Sequence, residues 1–210
     1  ADLIVKHPDL VEDLKEAGLA YLTIGVESYR EEELSELNKR TSVELNNEAI
    51  RTLRRLGIGN AAHFIVNPEY GVEDFRALFR YVRESELFQP VFTVLTPLPG
   101  TDLYRDTRDR LVIRDYGCFD FVHAVLPTRL SRRDFYREFV NLYRATYSFG
   151  RYFRSLSSEL LSRLRKRADV PPGRVDRLSF IKLCLVHLAG YPLVHRVRRI
   201  HVTEPLVDRK

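Results

Sequence analysis

Methionine is missing from all 210 positions, position 1 included. Because Ala1-Asp2-Leu3-Ile4-Val5 already reads as a strand, the chain is expected to be a fragment. Cysteine is scarce. Cys118 and Cys184 stand far apart with neither CxxC nor CxxxCxxC spacing, which argues against a four-thiolate metal site and a disulfide framework and agrees with a reducing cytoplasm. There is no apolar run of about 18 residues and no charged stretch leading into an apolar one at the start, so neither a transmembrane helix nor a signal peptide is read. Internal repeats and low-complexity tracts are also absent, and a soluble protein is expected.

What the chain has is enough apolar material for a real core, with 44% hydrophobic and 11% aromatic residues, in the range of one domain plus an appendage. Its net charge of +5 is unevenly spread. Residues 1–150 carry 20 basic and 24 acidic side chains, whereas residues 151–210 carry 14 and 5. The basic character therefore belongs to the tail, where a solvated arginine-rich face is the plain expectation and an anionic membrane surface the functional one.

Hydrophobic periodicity gives alternating helices and strands. Pro8 opens a helix with Leu10, Val11, Leu14 and Ala17 at helical spacing, stopped by Gly18. A buried strand follows at Tyr21 to Val26, then a helix over Asn46 to Leu56 and a strand at Ala61 to Val66. The unit repeats with a helix through Val72, Phe75, Leu78, Phe79 and Val82 and a strand at Val91 to Thr96. Such βαβ units imply an α/β fold with a parallel sheet or partial barrel, whose ligand lies at the carboxyl ends of the strands. Glu27-Ser28, Asn67-Pro68 and Pro97 to Thr101 fall there. Beyond residue 112 the pattern changes to Phe119 through Thr128, followed by a helix capped by Ser131 with Asp134 at N3 and an apolar stripe of Phe135, Phe139, Leu142, Tyr143 and Tyr147. A basic helix over 151–168 and an apolar one from Leu178 to Leu188 are expected in the tail.

Two motifs at strand ends narrow this reading. Gly25-Val26-Glu27-Ser28, with Leu34 and Asn38-Lys39 after it, and Leu95-Thr96-Pro97-Leu98-Pro99-Gly100-Thr101 resemble, in order and spacing, elements of the radical S-adenosylmethionine (SAM) superfamily. Phe64 through Tyr70 and Phe119 through Leu130 resemble its cobalamin-dependent methylases, in particular the hopanoid C-3 methylase subgroup. The resemblance implies that residues 1–112 are the C-terminal half of a partial (β/α)6 barrel, 113–150 a post-barrel segment with a helix, and 151–210 a mainly helical basic extension. It also implies SAM, a 4Fe-4S cluster and cobalamin as cofactors, with C-methylation of a polycyclic lipid as the activity. The CxxxCxxC loop that would hold the cluster and the domain that would hold cobalamin are not found in these 210 residues, so the chain is not expected to catalyse alone.

Residue by residue, the resemblance assigns Glu27 and Ser28 to the SAM ribose side, Lys39 to the SAM carboxylate with Arg40 able to exchange roles, and His63 to the amino-acid part or the substrate. It assigns Leu95 and Thr96 to adenine; beside it, His123 is read as a residue facing the substrate, and Tyr136 or Tyr143 as a phenol for radical quenching or substrate positioning. The plainer alternatives are a helix-capping acid at Glu27, a surface lysine at Lys39, a hydrogen-bonded core histidine at His63 and core aromatics on the helix. Asn67 stands where many relatives carry glycine, which alters a tight turn. The rival whole-chain reading is a non-catalytic α/β scaffold whose basic tail meets an anionic surface. A membrane would suit the tail better than nucleic acid, because aromatic residues are too scattered for a base-stacking platform. On either reading the chain is cytoplasmic, with peripheral contact at the inner membrane face the place for residues 151–210.

Overall fold

A computed structural model describes residues 1–147 except 38, 40, 86 and 88. The expected tail helices, Cys184 and any membrane contact through 151–210 lie outside the described residues, as does the exchange of Lys39 with Arg40. The chain divides into two compact units, Ala1–Phe135 and Tyr136–Lys210.

The first unit is built on three strands, β1 (Tyr21–Glu27), β2 (Gly59–Val66) and β3 (Gln89–Val94), all parallel in the order β1-β2-β3. Helices α1 (Asp2–Lys6) and α2 (Pro8–Glu16) precede the sheet, α3 (Glu31–Glu36) and α4 (Val43–Arg55) join β1 to β2, and α5 (Val72–Glu84) joins β2 to β3. Helix α6 (Asp102–Thr107) follows, then two short 3-10 turns, Arg108–Arg110 and Tyr116–Cys118. The expected parallel α/β arrangement is therefore present. One expectation is overturned: residues 2–6 form α1, not a strand. Asp2 and Lys6 pair one turn apart at 3.1 Å, and Ile4 is buried.

Helix α4 starts three residues before the expected Asn46, because the Ser42 hydroxyl accepts the Leu45 N–H at 3.1 Å and satisfies an otherwise unpaired amide. Its Ala49, Ile50 and Leu53, with Phe75, Leu78 and Val82 of α5, are buried. They share the core with one face of the sheet, Ile24, Val26, Ala62, Phe64, Val66, Phe92 and Val94. The Phe64 ring lies 5.8 Å from Phe92 and 6.0 Å from Tyr81 of α5.

The opposite face differs. Thr23 and Gly25 are exposed, and His63, Ile65, Val91 and Thr93 are half-buried. Among the described residues one end of this face is closed over where Tyr21 Oη donates to Gln89 Oε1 at 2.7 Å from β1 to β3. The outer edge of β3 is blunted by Pro90, which has no N–H, and by the Val94 N–H, which donates to Phe121 O at 2.6 Å.

Helix α7 (Arg132–Thr146) runs across the boundary of the two units. Its expected cap is present: the Asp134 N–H donates to Ser131 Oγ at 3.1 Å, and the hydroxyl donates to Asp134 Oδ2 at 2.7 Å. Within the second unit Tyr136, Phe139, Val140 and Leu142 are buried, and Phe139 meets Tyr143 edge-on at 5.4 Å.

Candidate functional site

The open face of the sheet ends in an irregularity of β1. Gly25 pairs with His63, but Glu27 rather than Val26 pairs with Phe64, so Val26 is the extra residue of a bulge and Glu27 takes φ +66°. The carbonyl of Val26 is not stranded by this. It accepts from Ser28 N–H at 2.8 Å and from the buried Asn46 amide at 2.9 Å, and Asn46 in turn accepts from Thr41 Oγ1 at 2.9 Å. The bulge turns the Glu27 side chain back over Gly25, where a Cβ would collide with its Oε1. Lys39 Nζ donates to that same oxygen at 3.1 Å. Gly25, Glu27, Lys39 and, by register, His63 thus meet on the open face, with a glutamate in left-handed backbone at its rim. Glu27 and Lys39, assigned to different parts of one ligand, pair with each other.

Ser28 has a different place. It is buried, its Oγ accepts the Arg30 N–H at 3.1 Å and its hydroxyl donates to Glu33 Oε2. Thr96 is also buried and donates to Val94 O at 2.9 Å, while Leu95 N–H continues the ladder to Val66 O at 3.0 Å. His123 stands on the segment that covers the β3 edge, with Nδ1 2.8 Å from Asp120 Oδ2. Burial opposes the ionised Asp120, but the N–H groups of His123 and Val122 and the imidazole outweigh it and hold its pKa below the usual range.

Beyond the strand ends lie two clefts that share Glu33, Glu36 and Asn67. The smaller, about 120 Å³, is walled by Leu37, Ile65, Leu95 and Leu103. The larger, about 550 Å³, is lined by Arg30, Glu69, Tyr70, Asp74 and Arg129 among others. Of the strand-end residues named from sequence, Leu95 lines the smaller cleft and Asn67 lines both.

The network behind the larger cleft was not expected from sequence. Tyr70 Oη donates to Glu33 Oε2 at 2.8 Å, and Arg30 bonds Asp74 and approaches Glu33 at 3.5 Å. The Arg30 guanidinium also lies 4.9 Å over the Tyr29 ring and 5.4 Å over Tyr70. Asp74 accepts the Gly71 N–H at 2.7 Å as the N3 acid of α5 and lies 3.9 Å from Arg129. Burial opposes its charge, but that N–H and Arg30 prevail and its pKa is lowered; Arg30, opposed likewise by burial, is raised by Asp74. Burial pushes Tyr29 up to about 12, and burial with the Glu33 carboxylate pushes Tyr70 well up. The one sequence signal for this group was the three-residue spacing of Gly71 and Asp74; Glu33 sits unmarked in an acidic run.

No protein-family model matches the chain. It is 34% identical over 146 residues to the hopanoid C-3 methylase of Methylococcus capsulatus, a match covering 70% of this chain and 28% of that protein. It is 29% identical over 129 residues to the bacteriochlorophyllide d C-8(2)-methyltransferase of Chlorobaculum tepidum, covering 59% and 29%. With the anaerobic magnesium-protoporphyrin IX monomethyl ester cyclase of Cereibacter sphaeroides it shares 30% identity over 146 residues, covering 69% and 24%. The chain therefore spans less than a third of the length of each of these relatives.

Proposed function

We propose that this chain, which belongs to the radical SAM superfamily and is related to the hopanoid C-3 methylase, supplies the SAM-facing part of a site for C-methylation of a polycyclic lipid such as a hopanoid. The observation that carries the proposal is the Glu27 carboxylate, held over the bare Cα of Gly25 on the open face and balanced by Lys39. On this reading the three strands belong to a partial (β/α)6 barrel occupying residues 1–112, and the open face is its inner wall.

When bound and reduced by one electron from outside this chain, SAM would supply a 5′-deoxyadenosyl radical and leave methionine. The residues here fit its polar parts: Glu27 offers two acceptor oxygens to ribose hydroxyls, and Lys39 offers a charge to the amino-acid carboxylate. The two pair with each other at 3.1 Å, and a zwitterionic ligand would offer a partner to each. Ile65 and Leu95 offer apolar surface to a flat ring, and Ser28 and Thr96 act from behind by fixing the two turns.

A 4Fe-4S cluster does not fit these residues. Cys118 and Cys184 lack the required spacing, and no group of three or more His, Cys, Asp or Glu among the described residues is placed to hold a metal ion. For cobalamin, the domain that would hold it is not found in these 210 residues. No step is assigned through either. His123, oriented by Asp120, is the residue proposed to meet the substrate. A lipid substrate agrees with membrane contact through the tail, whose 14 basic and 5 acidic side chains suit an anionic surface.

The test is calorimetric titration with S-adenosylhomocysteine. Removing the charge in Glu27→Gln or crowding it out in Gly25→Ala is expected to weaken binding about tenfold or more, the worth of one charge-assisted hydrogen bond. Equal binding by parent and both variants would remove the proposal.

A further inference from the structure

We propose that Tyr70 and Glu33 form a redox-active phenol–carboxylate pair in the wall of the larger cleft, able to quench a carbon-centred radical that strays from the reaction. Tyr70 is 2% exposed, and its Oη donates to Glu33 Oε2 at 2.8 Å. The acceptor does not wander, because Ser28 Oγ donates to the same Oε2 and Arg30 approaches Oε1 at 3.5 Å.

Two observations require that electron and proton leave Tyr70 together. Its pKa is pushed well up, so no tyrosinate is present to be oxidised. The Arg30 guanidinium 5.4 Å over the ring opposes any cation left on it. Glu33 is therefore the necessary proton acceptor. Further rings lead away: Tyr70 to Tyr29 is 6.4 Å and Tyr29 to Tyr81 is 6.3 Å between centroids. Each phenol along this line has its own acceptor, Asp74 O for Tyr29 at 3.2 Å and Asn47 Oδ1 for Tyr81 at 2.8 Å. Phenylalanine would supply the ring contacts at these positions but none of the three hydrogen bonds.

In one concerted event an electron passes from Tyr70 to the radical carbon, the phenolic proton moves to Glu33, and the carbon takes up a proton from the carboxylic acid so formed. The O–H bond of Tyr70 breaks, a C–H bond forms, and Tyr70 remains as a neutral phenoxyl. A one-electron reductant of the dithionite or thiol class, with a proton, restores it. Use of the pair as a radical sink rests on the function proposed above, but its one-electron chemistry does not, so the test supplies its own oxidant.

The full chain is oxidised by flash-generated tris-bipyridyl ruthenium(III), with persulfate as electron acceptor, and frozen for electron paramagnetic resonance at increasing delays. Surface phenols such as Tyr116, 63% exposed, give radicals that decay early, whereas a phenoxyl at Tyr70 persists. The persistent signal is expected to be lost in Tyr70→Phe, which keeps the ring and its packing. It is also expected to be lost in Glu33→Gln, which still accepts the hydrogen bond but is a far weaker base. A persistent signal surviving in Tyr70→Phe, or unchanged in Glu33→Gln, overturns the proposal, with matching melting curves confirming that both variants are folded.

Discussion

Glu27 occupies left-handed backbone at φ +66°, a conformation that costs a residue with a Cβ about 1–2 kcal/mol. What holds it there is the bulge at Val26, whose carbonyl has two fixed donors, and the ion pair to Lys39. Glu27→Gly is accordingly expected to leave thermal stability unchanged or raised, while removing the carboxylate that the ligand requires; melting and titration on the same sample separate the two effects. Gly25→Ala should also fold, because the atom it displaces is the end of a movable side chain. Asp74 gives a prediction of pH dependence. Its folded pKa lies below the ordinary 3.8, so its contribution is complete above the unfolded value and is lost as pH falls through the folded one. Stability measured against pH should therefore show an acid limb that is smaller in Asp74→Asn, and an identical limb in the variant would remove Asp74 from the account.

At the scale of elements, the two turns at the carboxyl ends of β1 and β2 are joined side chain to side chain, through Glu33 to Tyr70 and Arg30 to Asp74. Asn46 ties α4 to the same bulge, and Asn46→Leu should cost about 1–3 kcal/mol by leaving the Val26 carbonyl and Thr41 hydroxyl short of partners. Phe64→Ala, at the centre of the covered face, should cost about 3–5 kcal/mol in denaturant midpoint analysis. A much smaller loss would mean that α5 does not pack as described. The strands and α4, α5 and α7 were legible because each buries one face and so writes its period into the sequence; α2 was legible from Pro8 at its start and Gly18 after its end, but of its expected stripe only Val11 is buried, while Leu10, Leu14 and Ala17 are exposed. Residues 2–6 were misread because a run of Leu3-Ile4-Val5 suits either a strand or a short helix, and its burial with α4 is a tertiary fact. Glu27, Ser28, Lys39 and Thr96 could be named from motifs. Their division into open-face and turn-fixing groups could not, since it depends on a one-residue bulge that alternation does not reveal.

For the molecule as a whole, among the described residues the helices α4 and α5 cover one face of the sheet of the first unit, while the other face is left more open, with Thr23 and Gly25 exposed and Tyr21 reaching Gln89 across one end. A parallel sheet normally has both faces covered. Among the described residues the uncovered face carries Gly25, Glu27 and His63, which is where the proposed ligand belongs. The most direct measurement is a titration of the isotopically labelled chain with S-adenosylhomocysteine, followed by amide chemical shifts. Binding in the millimolar range, about 4 kcal/mol, suffices for this readout. The account predicts shifts concentrated at Gly25, Glu27, Lys39, His63 and Leu95, and their disappearance in Gly25→Ala. Shifts confined to α2, α7 or the tail, or the same pattern in Gly25→Ala, would contradict it.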